Sequence, residues 1–333
     1  MKISILLPYK ENFSPEYPGA VSLFVYETSK ISNYKKKIIV YGNTNFKKKF
    51  NLKYVNINIK KELFNSQTKN YVNDFIKLEK NNNSSIIEVH NRPSYIHIIN
   101  EKIKDKILTL YFHNDPLSMD GSKTISQRKK LLKTCYKIIF NSSWSKKRFL
   151  EGLENKFVNS NKLLIFYQSA QKGSLNLLRK KKKWITFVGK LNKAKGYHIF
   201  CKAASMFKKH DPNWNFIAIG NETRKEIFPS KNSVKEIGYL KNSEVLNFYK
   251  KSEIAIGNSV WNEPLGRIAI EASSRKCLPI ITNKAGFAES KKIAHVLKIN
   301  SVDEIFNVLK KITRNEKYKQ KKQNLYYKNN NFN

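Results

Sequence analysis

Trp261-Asn262-Glu263-Pro264-Leu265-Gly266-Arg267-Ile268-Ala269-Ile270-Glu271-Ala272 places two carboxylates with seven residues between them across a turn-to-helix junction. Pro264 and Gly266 interrupt regular structure, and 267–276 is a run of helix formers without proline, so a helix is expected to begin near Gly266. The first N–H groups of a helix lack internal partners and sit at the positive end of its dipole, which suits a diphosphate. Glu263 falls in the loop. Glu271 falls about one and a half turns into the helix, where a carboxylate can accept hydrogen bonds from a diol. Solvated surface glutamates are the other reading of the pair, since most glutamates are exposed.

The flanks narrow the choice. Ile254-Ala255-Ile256 reads as a buried strand before the loop and Leu278-Pro279-Ile280-Ile281-Thr282 as another after the helix. Strand, loop, helix, strand is a βαβ unit, and open α/β sheets bind ligands beyond the carboxyl ends of their strands. Upstream, Trp184-Ile185-Thr186-Phe187-Val188-Gly189-Lys190-Leu191-Asn192-Lys193-Ala194-Lys195-Gly196 repeats the pattern of a strand running into a glycine-bearing loop.

The ordered set Gly238-Tyr239-Leu240, 245–250, the Ile254 strand, Glu263, Gly266, Glu271-Ala272, Leu278-Pro279-Ile280-Ile281 and 286–289 resembles the donor-binding half of the retaining family 4 glycosyltransferases of the GT-B fold. The resemblance implies an α/β architecture of two Rossmann-like, doubly wound domains facing a central cleft. It also implies a nucleoside diphosphate sugar as donor and no required metal or other cofactor. Lys190 and Lys195 take the places of the family's Arg-x4-Lys, so an ammonium point charge stands at 190 where a bidentate guanidinium is usual. Carried over residue by residue, the catalytic group is Glu263, Lys195 and His113. Donor binding falls to Lys190, Lys195, Glu263, Leu265, Gly266, Arg267, Glu271 and Gly19, with Asn221, Tyr239 and Leu240 bordering the base. Gly19-Ala20 replaces the family's glycine pair, which leaves close backbone approach at Ala20 in question.

Two further apolar runs, 86–93 and 108–116, each end in a His-Asn pair before proline. They resemble family segments that line the cleft, which puts Ala20, His90, Asn91 and Arg92 on the acceptor side and His113 beside the transferred sugar. Polar capping of strand ends is the plainer account of the same residues.

With 333 residues and 40% hydrophobic content, two ordinary domains are expected. The first, read as the acceptor domain, spans 1–168, followed by a basic linker 169–183 and the nucleotide-sugar donor domain 184–314. Ser301-Val302-Asp303-Glu304 reads as a capping box opening a helix. The tail 315–333 is polar, and GT-B relatives often use such a segment as a helix crossing back to the first domain.

Lys and Arg number 64 against 25 Asp and Glu, a formal charge of +39. Such a surface attracts polyanions. No nucleic-acid-binding motif accompanies it, so nucleic acid is not expected as a partner. An anionic membrane fits better, because 128–137 reads as a basic amphipathic helix with Arg128, Lys129, Lys130, Lys133 and Lys137 on one side. The apolar run at 3–7 is too short for a signal or a membrane span, which points to a cytoplasmic protein, peripheral on the membrane's cytoplasmic face. Cys135, Cys201 and Cys277 have neither metal-ligand spacing nor an even count.

The expected activity is therefore transfer of a sugar to a hydroxyl of a cell-surface or lipid-linked glycan, such as lipopolysaccharide or capsule. Two alternatives remain at this level: a non-catalytic polyanion (nucleic acid) binding protein on the same scaffold, and a sugar-nucleotide epimerase of the same fold.

Overall fold

The computed structural model describes residues 1–59, 66–170, 181–222 and 231–323. Two compact units, Met1–Phe166 and Tyr167–Asn333, divide the chain.

The first unit is a seven-stranded sheet of β1 (Ile3–Leu6), β2 (Ile38–Gly42), β3 (Tyr54–Asn56), β4 (Ile86–His90), β5 (Ile107–Phe112), β6 (Lys137–Phe140) and β7 (Leu163–Ile165). All its pairings are parallel, in the order β3-β2-β1-β4-β5-β6-β7, so the winding reverses between β1 and β4. Helices α1 (Ala20–Ile31), α2 (Gln67–Asn82), α3 (Pro93–Lys102), α4 (Ile125–Thr134) and α5 (Ser143–Leu150) connect the strands. Alternation along β1 sends Ile3 and Ile5 to one core with Val21, Phe24 and Val25 of α1. Leu6 goes to the other, with Tyr71, Phe75, Tyr95 and Phe149. Burial on both faces explains why the strands are nearly unbroken apolar runs.

The second unit repeats the plan with β8 (Lys182–Val188), β9 (Asn215–Ile219), β10 (Val234–Gly238), β11 (Ser252–Gly257), β12 (Leu278–Thr282) and β13 (His295–Leu297), in the all-parallel order β10-β9-β8-β11-β12-β13. Its helices are α6 (Tyr197–His210), α7 (Asn242–Lys251), α8 (Arg267–Ser273), α9 (Val302–Arg314) and α10 (Glu316–Gln323). Phe200, Phe207, Ile305 and Leu309 of α6 and α9 seal one face of the sheet.

Local details depart from the sequence reading. Strand β8 starts at Lys182, inside the stretch read as linker, and Lys181 is not a solvated member of a basic run. Its ammonium donates to the carbonyls of Tyr249 (3.1 Å), Lys250 (2.9 Å), Ser252 (2.9 Å) and Arg275 (3.1 Å), tying the ends of α7 and α8 together. Residues 171–180 and 324–333, which carry the rest of the linker and most of the tail, lie outside the described residues. Ser301 caps α9 by accepting from the Glu304 N–H (3.1 Å), but the Glu304 carboxylate turns to the Lys298 N–H (3.3 Å), so only half of the box forms.

Helix α4 stops at Thr134, and Arg128 on it is buried, donating to the carbonyls of Ser122, Lys123 and Glu151. Lys129 and Lys130 pair with Glu154 and Glu101, and Lys137 belongs to β6. The continuous basic face expected over 128–137 is therefore not formed, because the first unit uses Arg128 to bridge loops. Burial pushes the Cys135 and Cys277 thiols up to about 12, in keeping with small core residues. Among the described residues no helix is long and apolar enough to cross a membrane.

Candidate functional site

In the second unit the loops after β8 and β11 meet at Lys195 and Glu263, whose side chains form an ion pair. Both loops are held by close backbone packing. Gly196 adopts φ +78°, and a Cβ there would stand 2.0 Å from the Asn258 carbonyl oxygen, while Asn258 Nδ2 donates back to the Gly196 carbonyl (2.8 Å). Asn192 accepts from the Lys195 N–H (3.0 Å) and donates to Glu222 (2.6 Å). Ser259 donates to Glu263 Oε1 (3.0 Å), so the carboxylate is fixed from two sides.

The segment from Pro264 to α8 is packed as tightly. At Gly266 (φ +78°) a Cβ would enter the Phe287 ring, and at Gly286 it would meet the Pro264 carbonyl, while the Gly286 N–H donates to the Glu263 carbonyl (2.8 Å). Glu271 is buried and accepts from Asn242 Nδ2 (3.1 Å) and Arg267 Nε (3.0 Å). Helix α8 ends at Ser273, earlier than the run of helix formers, because Lys276 turns into the left-handed region (φ +54°) ahead of β12. The structure thus brings Lys195 and Glu263 together and sets Glu271 on α8 with Arg267 as its ion partner. Leu265 points into a small core with Ile270 and Ile293, leaving only its backbone to face a ligand. Lys190 and Asn221 are exposed, and Tyr239 is 38% exposed next to Gly238.

The first unit assembles a second cluster where β4 and β5 end. His90 Nδ1 lies 3.1 Å from His113 Nε2, and His90 Nε2 lies 3.6 Å from a Glu88 carboxylate oxygen. Both rings are buried, with Tyr111 stacked on His90 at 4.4 Å and the Phe24 edge against His113. Glu88 favours the proton on His90 Nε2. In that tautomer His90 Nδ1 accepts from His113 Nε2–H, and in the other the bond between the rings runs the opposite way. Burial, then the Glu88 charge, push the Tyr111 phenol up, so it stays protonated.

Asn91, in the left-handed region at φ +55°, accepts from the N–H groups of His113 (3.2 Å) and Asn114 (3.1 Å) and so joins the two strand ends. Arg92 folds back onto the Asn91 carbonyl (2.8 Å). Gly19 caps α1 at Ala20, and the Glu11 carboxylate lies against it, accepting from the Ser22 N–H (3.0 Å). A Cβ on Gly19 would stand 1.9 Å from that carboxylate, so an anion approaching this helix end meets Glu11 first.

Sequence reasoning missed Asn242, Ser259, Asn258, Asn192, Glu88 and Glu11. The i,i+4 spacing of Arg267 and Glu271 is a sequence signal for their ion pair that the sequence reading did not use. Asn258, Asn242 and Glu11 reach their partners only through tertiary contact, while Ser259, Asn192 and Glu88 lie within four residues of Glu263, Lys195 and His90 but form no recognisable motif with them. Among the described residues no three His, Cys, Asp or Glu side chains are grouped to hold a metal.

Comparison with known proteins bears on this geometry. Residues 172–331 match the family described as "Glycosyl transferases group 1". Spore coat protein SA of Bacillus subtilis (strain 168) is 25% identical over 233 residues, which cover 62% of this chain and 62% of that protein. An uncharacterized 42.6 kDa protein in the cps region of Klebsiella pneumoniae is 29% identical over 141 residues, 40% of this chain and 35% of that one. The chain thus spans less than two thirds of the length of these relatives.

Among solved structures, Anabaena HepE in complex with UDP-glucose superposes with a TM-score of 0.74 at 14% identity, covering 97% of this chain and 93% of that one. A glycosyltransferase from Rickettsia africae gives 0.72 at 17% identity, covering 99% and 94%. The fold is the GT-B arrangement of two Rossmann-like parallel-sheet units.

Proposed function

We propose that this protein is a retaining glycosyltransferase of the family 4 type, moving a sugar from a nucleoside diphosphate sugar to a hydroxyl of a glycan or lipid-linked glycan. The observation that carries the reading is the Lys195–Glu263 ion pair on two glycine-locked loops, with Glu271 fixed on the helix that follows. The match of residues 172–331 to the group 1 family and the UDP-glucose complex of the HepE neighbour support it. The cps-region relative favours a surface polysaccharide as the acceptor.

In this reading Lys195, aided by Lys190 and the backbone around Leu265, Gly266 and Arg267, stabilises charge building on the departing diphosphate. Those cations do the work a metal does in other transferases. Glu263 holds the donor sugar and Glu271 the ribose hydroxyls. His113, with its tautomer set through His90, orients the transferred sugar, while Asn91 and Arg92 shape the acceptor side. Gly19 and Ala20 are left out, since a phosphate there would have to displace Glu11. The leaving phosphate takes the acceptor proton as the acceptor oxygen attacks from the same face, so no protein base is assigned. The charge of +39 remains available to an anionic membrane surface on the cytoplasmic side, although α4 is not its seat.

The test is hydrolysis or transfer of a panel of uridine, guanosine and adenosine diphosphate sugars by the wild type, Glu263→Ala and Glu271→Ala. Turnover of one donor class, lost in both variants, is expected. Equal turnover in all three proteins would refute the site.

A further inference from the structure

The Lys195–Glu263 pair stands on two loops of the second unit, and a third loop reaches in to hold one of them. Strand β13 ends at Leu297 and α9 starts at Val302, so residues 298–301 lie beyond the carboxyl end of a strand two places away from β11 in the sheet. This loop has a fixed base. Ser301 accepts from the Glu304 N–H (3.1 Å), the Lys298 N–H donates to Glu304 Oε1 (3.3 Å) and the Ser301 N–H to the Ile299 carbonyl (3.1 Å). From that base Asn300 extends past the end of β12. Its Nδ2 donates to the Asn258 carbonyl (2.9 Å) and stands 3.5 Å from the Ser259 carbonyl.

Asn258 and Ser259 are buried and follow the last residue of β11, so their carbonyls need donors from outside the strand ladder. The same two residues carry the contacts of the site. Asn258 Nδ2 donates to the Gly196 carbonyl (2.8 Å), and the Val260 and Trp261 N–H groups donate to the Ala194 carbonyl (2.9 and 3.0 Å). Ser259 Oγ lies 3.0 Å from Glu263 Oε1 and 3.1 Å from the Ala194 carbonyl. The segment 258–261 is thus joined to 194–196 on one side and to Asn300 on the other.

Asn258 Oδ1 and Asn300 Oδ1 are buried and meet no protein donor among the described residues. Each amide therefore works through its Nδ2, and position 300 supplies donors rather than volume. The lysine side of the pair has supports of its own, because Gly196 packs directly on the Asn258 carbonyl and Asn192 fixes the Lys195 N–H. The Glu263 carboxylate hangs on the Ser259 hydroxyl, whose backbone Asn300 steadies.

We propose that Asn300 is a positioning residue for Glu263. It acts through the backbone of 258–259 and the Ser259 hydroxyl, and so tunes the sugar end of the donor site while the nucleotide end is left to Lys195 and Glu271. The role of Glu263 at the sugar rests on the transferase reading. The link from Asn300 to Glu263 does not.

The experiment compares the full-length wild type with Asn300→Ala, the isosteric Asn300→Asp and Asn300→Gln. Calorimetric titration with uridine, guanosine and adenosine diphosphates and a panel of their sugar conjugates gives the factor by which the sugar raises affinity. Asn300→Ala should reduce that factor by about tenfold, while affinity for the bare diphosphate stays within about twofold. Asn300→Asp should reduce it at least as much, because a carboxylate then faces two carbonyl oxygens. Asn300→Gln keeps the donors at a partly exposed position and should recover most of the factor. A second measurement needs no nucleotide. In urea unfolding, the midpoint shifts of Asn300→Ala and Glu263→Ala should sum to more than that of the double variant, whereas those of Asn300→Ala and Glu271→Ala should add. Additive shifts for Asn300 and Glu263, or a sugar factor that survives in Asn300→Ala and Asn300→Asp, would overturn the proposal. Non-additive shifts in a protein whose wild type binds no nucleotide would uphold the link from Asn300 to Glu263 and refute the transferase reading alone.

Discussion

The Lys195–Glu263 pair gives an unequal pair of outcomes that can be worked out in advance. The Lys195 side chain keeps 35% of its exposure and the Glu263 side chain 13%. At an effective dielectric near 20, unit charges about 4 Å apart attract by about 4 kcal/mol. Exposure of the lysine pulls this toward the ~0.2–1 kcal/mol of surface pairs, and desolvating the carboxylate takes a further share. A coupling of about 1–2 kcal/mol remains.

The single substitutions should differ more than the coupling suggests. Lys195→Met leaves a largely buried carboxylate held by Ser259 and should cost about 2–3 kcal/mol. Glu263→Gln keeps an oxygen for Ser259 and frees an ammonium that water solvates, so it should cost about 1 kcal/mol or less. Urea unfolding of the wild type, both singles and the double variant closes the cycle. Repeating it with saturating uridine diphosphate should shrink the coupling, because the diphosphate competes for the lysine. Equal costs for the two singles, or no coupling in the ligand-free protein, would refute the reasoning.

Other outcomes follow from the same contacts. Gly196→Ala should cost about 2–4 kcal/mol and abolish donor binding, while Gly238→Ala, also at positive φ but with nothing within 4 Å of a Cβ, should cost about 1 kcal/mol; thermal denaturation compares them. His90→Leu removes the acceptor for His113 Nε2 and should lower kcat with little change in donor KM, whereas His90→Gln should recover most of it. 15N NMR should place the proton on Nε2 in both wild-type rings. For α10, burial disfavours the Lys319 ammonium, but hydrogen bonds to Glu253 and Glu316 outweigh this and raise its pKa. The stabilisation is therefore complete below the ordinary lysine value of about 10.4 and lost as pH climbs through the raised one. The Lys319 bond lowers the Glu316 pKa, so its contribution holds above about 4.3 and disappears as pH falls through the lowered value; amide exchange in α10 should quicken at both extremes.

The second unit was legible because its signals are local. Strands β8, β11 and β12 are apolar runs bounded by loop residues, and the Pro264-Gly266 break sits beside the helix it starts. Strand β2 was missed: Ile38–Gly42 is a short buried run, which periodicity alone cannot tell from part of a helix. Edge strands β3 and β13 have three residues each and carry too little pattern. The basic helix over 128–137 failed for a different reason. Arg128 found three carbonyls in neighbouring loops, and a residue's tertiary partners are invisible to its helical face. Likewise, His90 and His113 could be named as candidates, but their contact through Nδ1 and Nε2 and the Glu88 carboxylate behind it depend on strand register.

The most direct test of the central claim is calorimetric titration of the full chain with nucleoside diphosphates and their sugars, run in parallel on Glu271→Ala. Binding confined to one base, strengthened by the attached sugar and lost with Glu271, is the expected result. Heat from no nucleotide, or binding that ignores the base and survives Glu271→Ala, would contradict it.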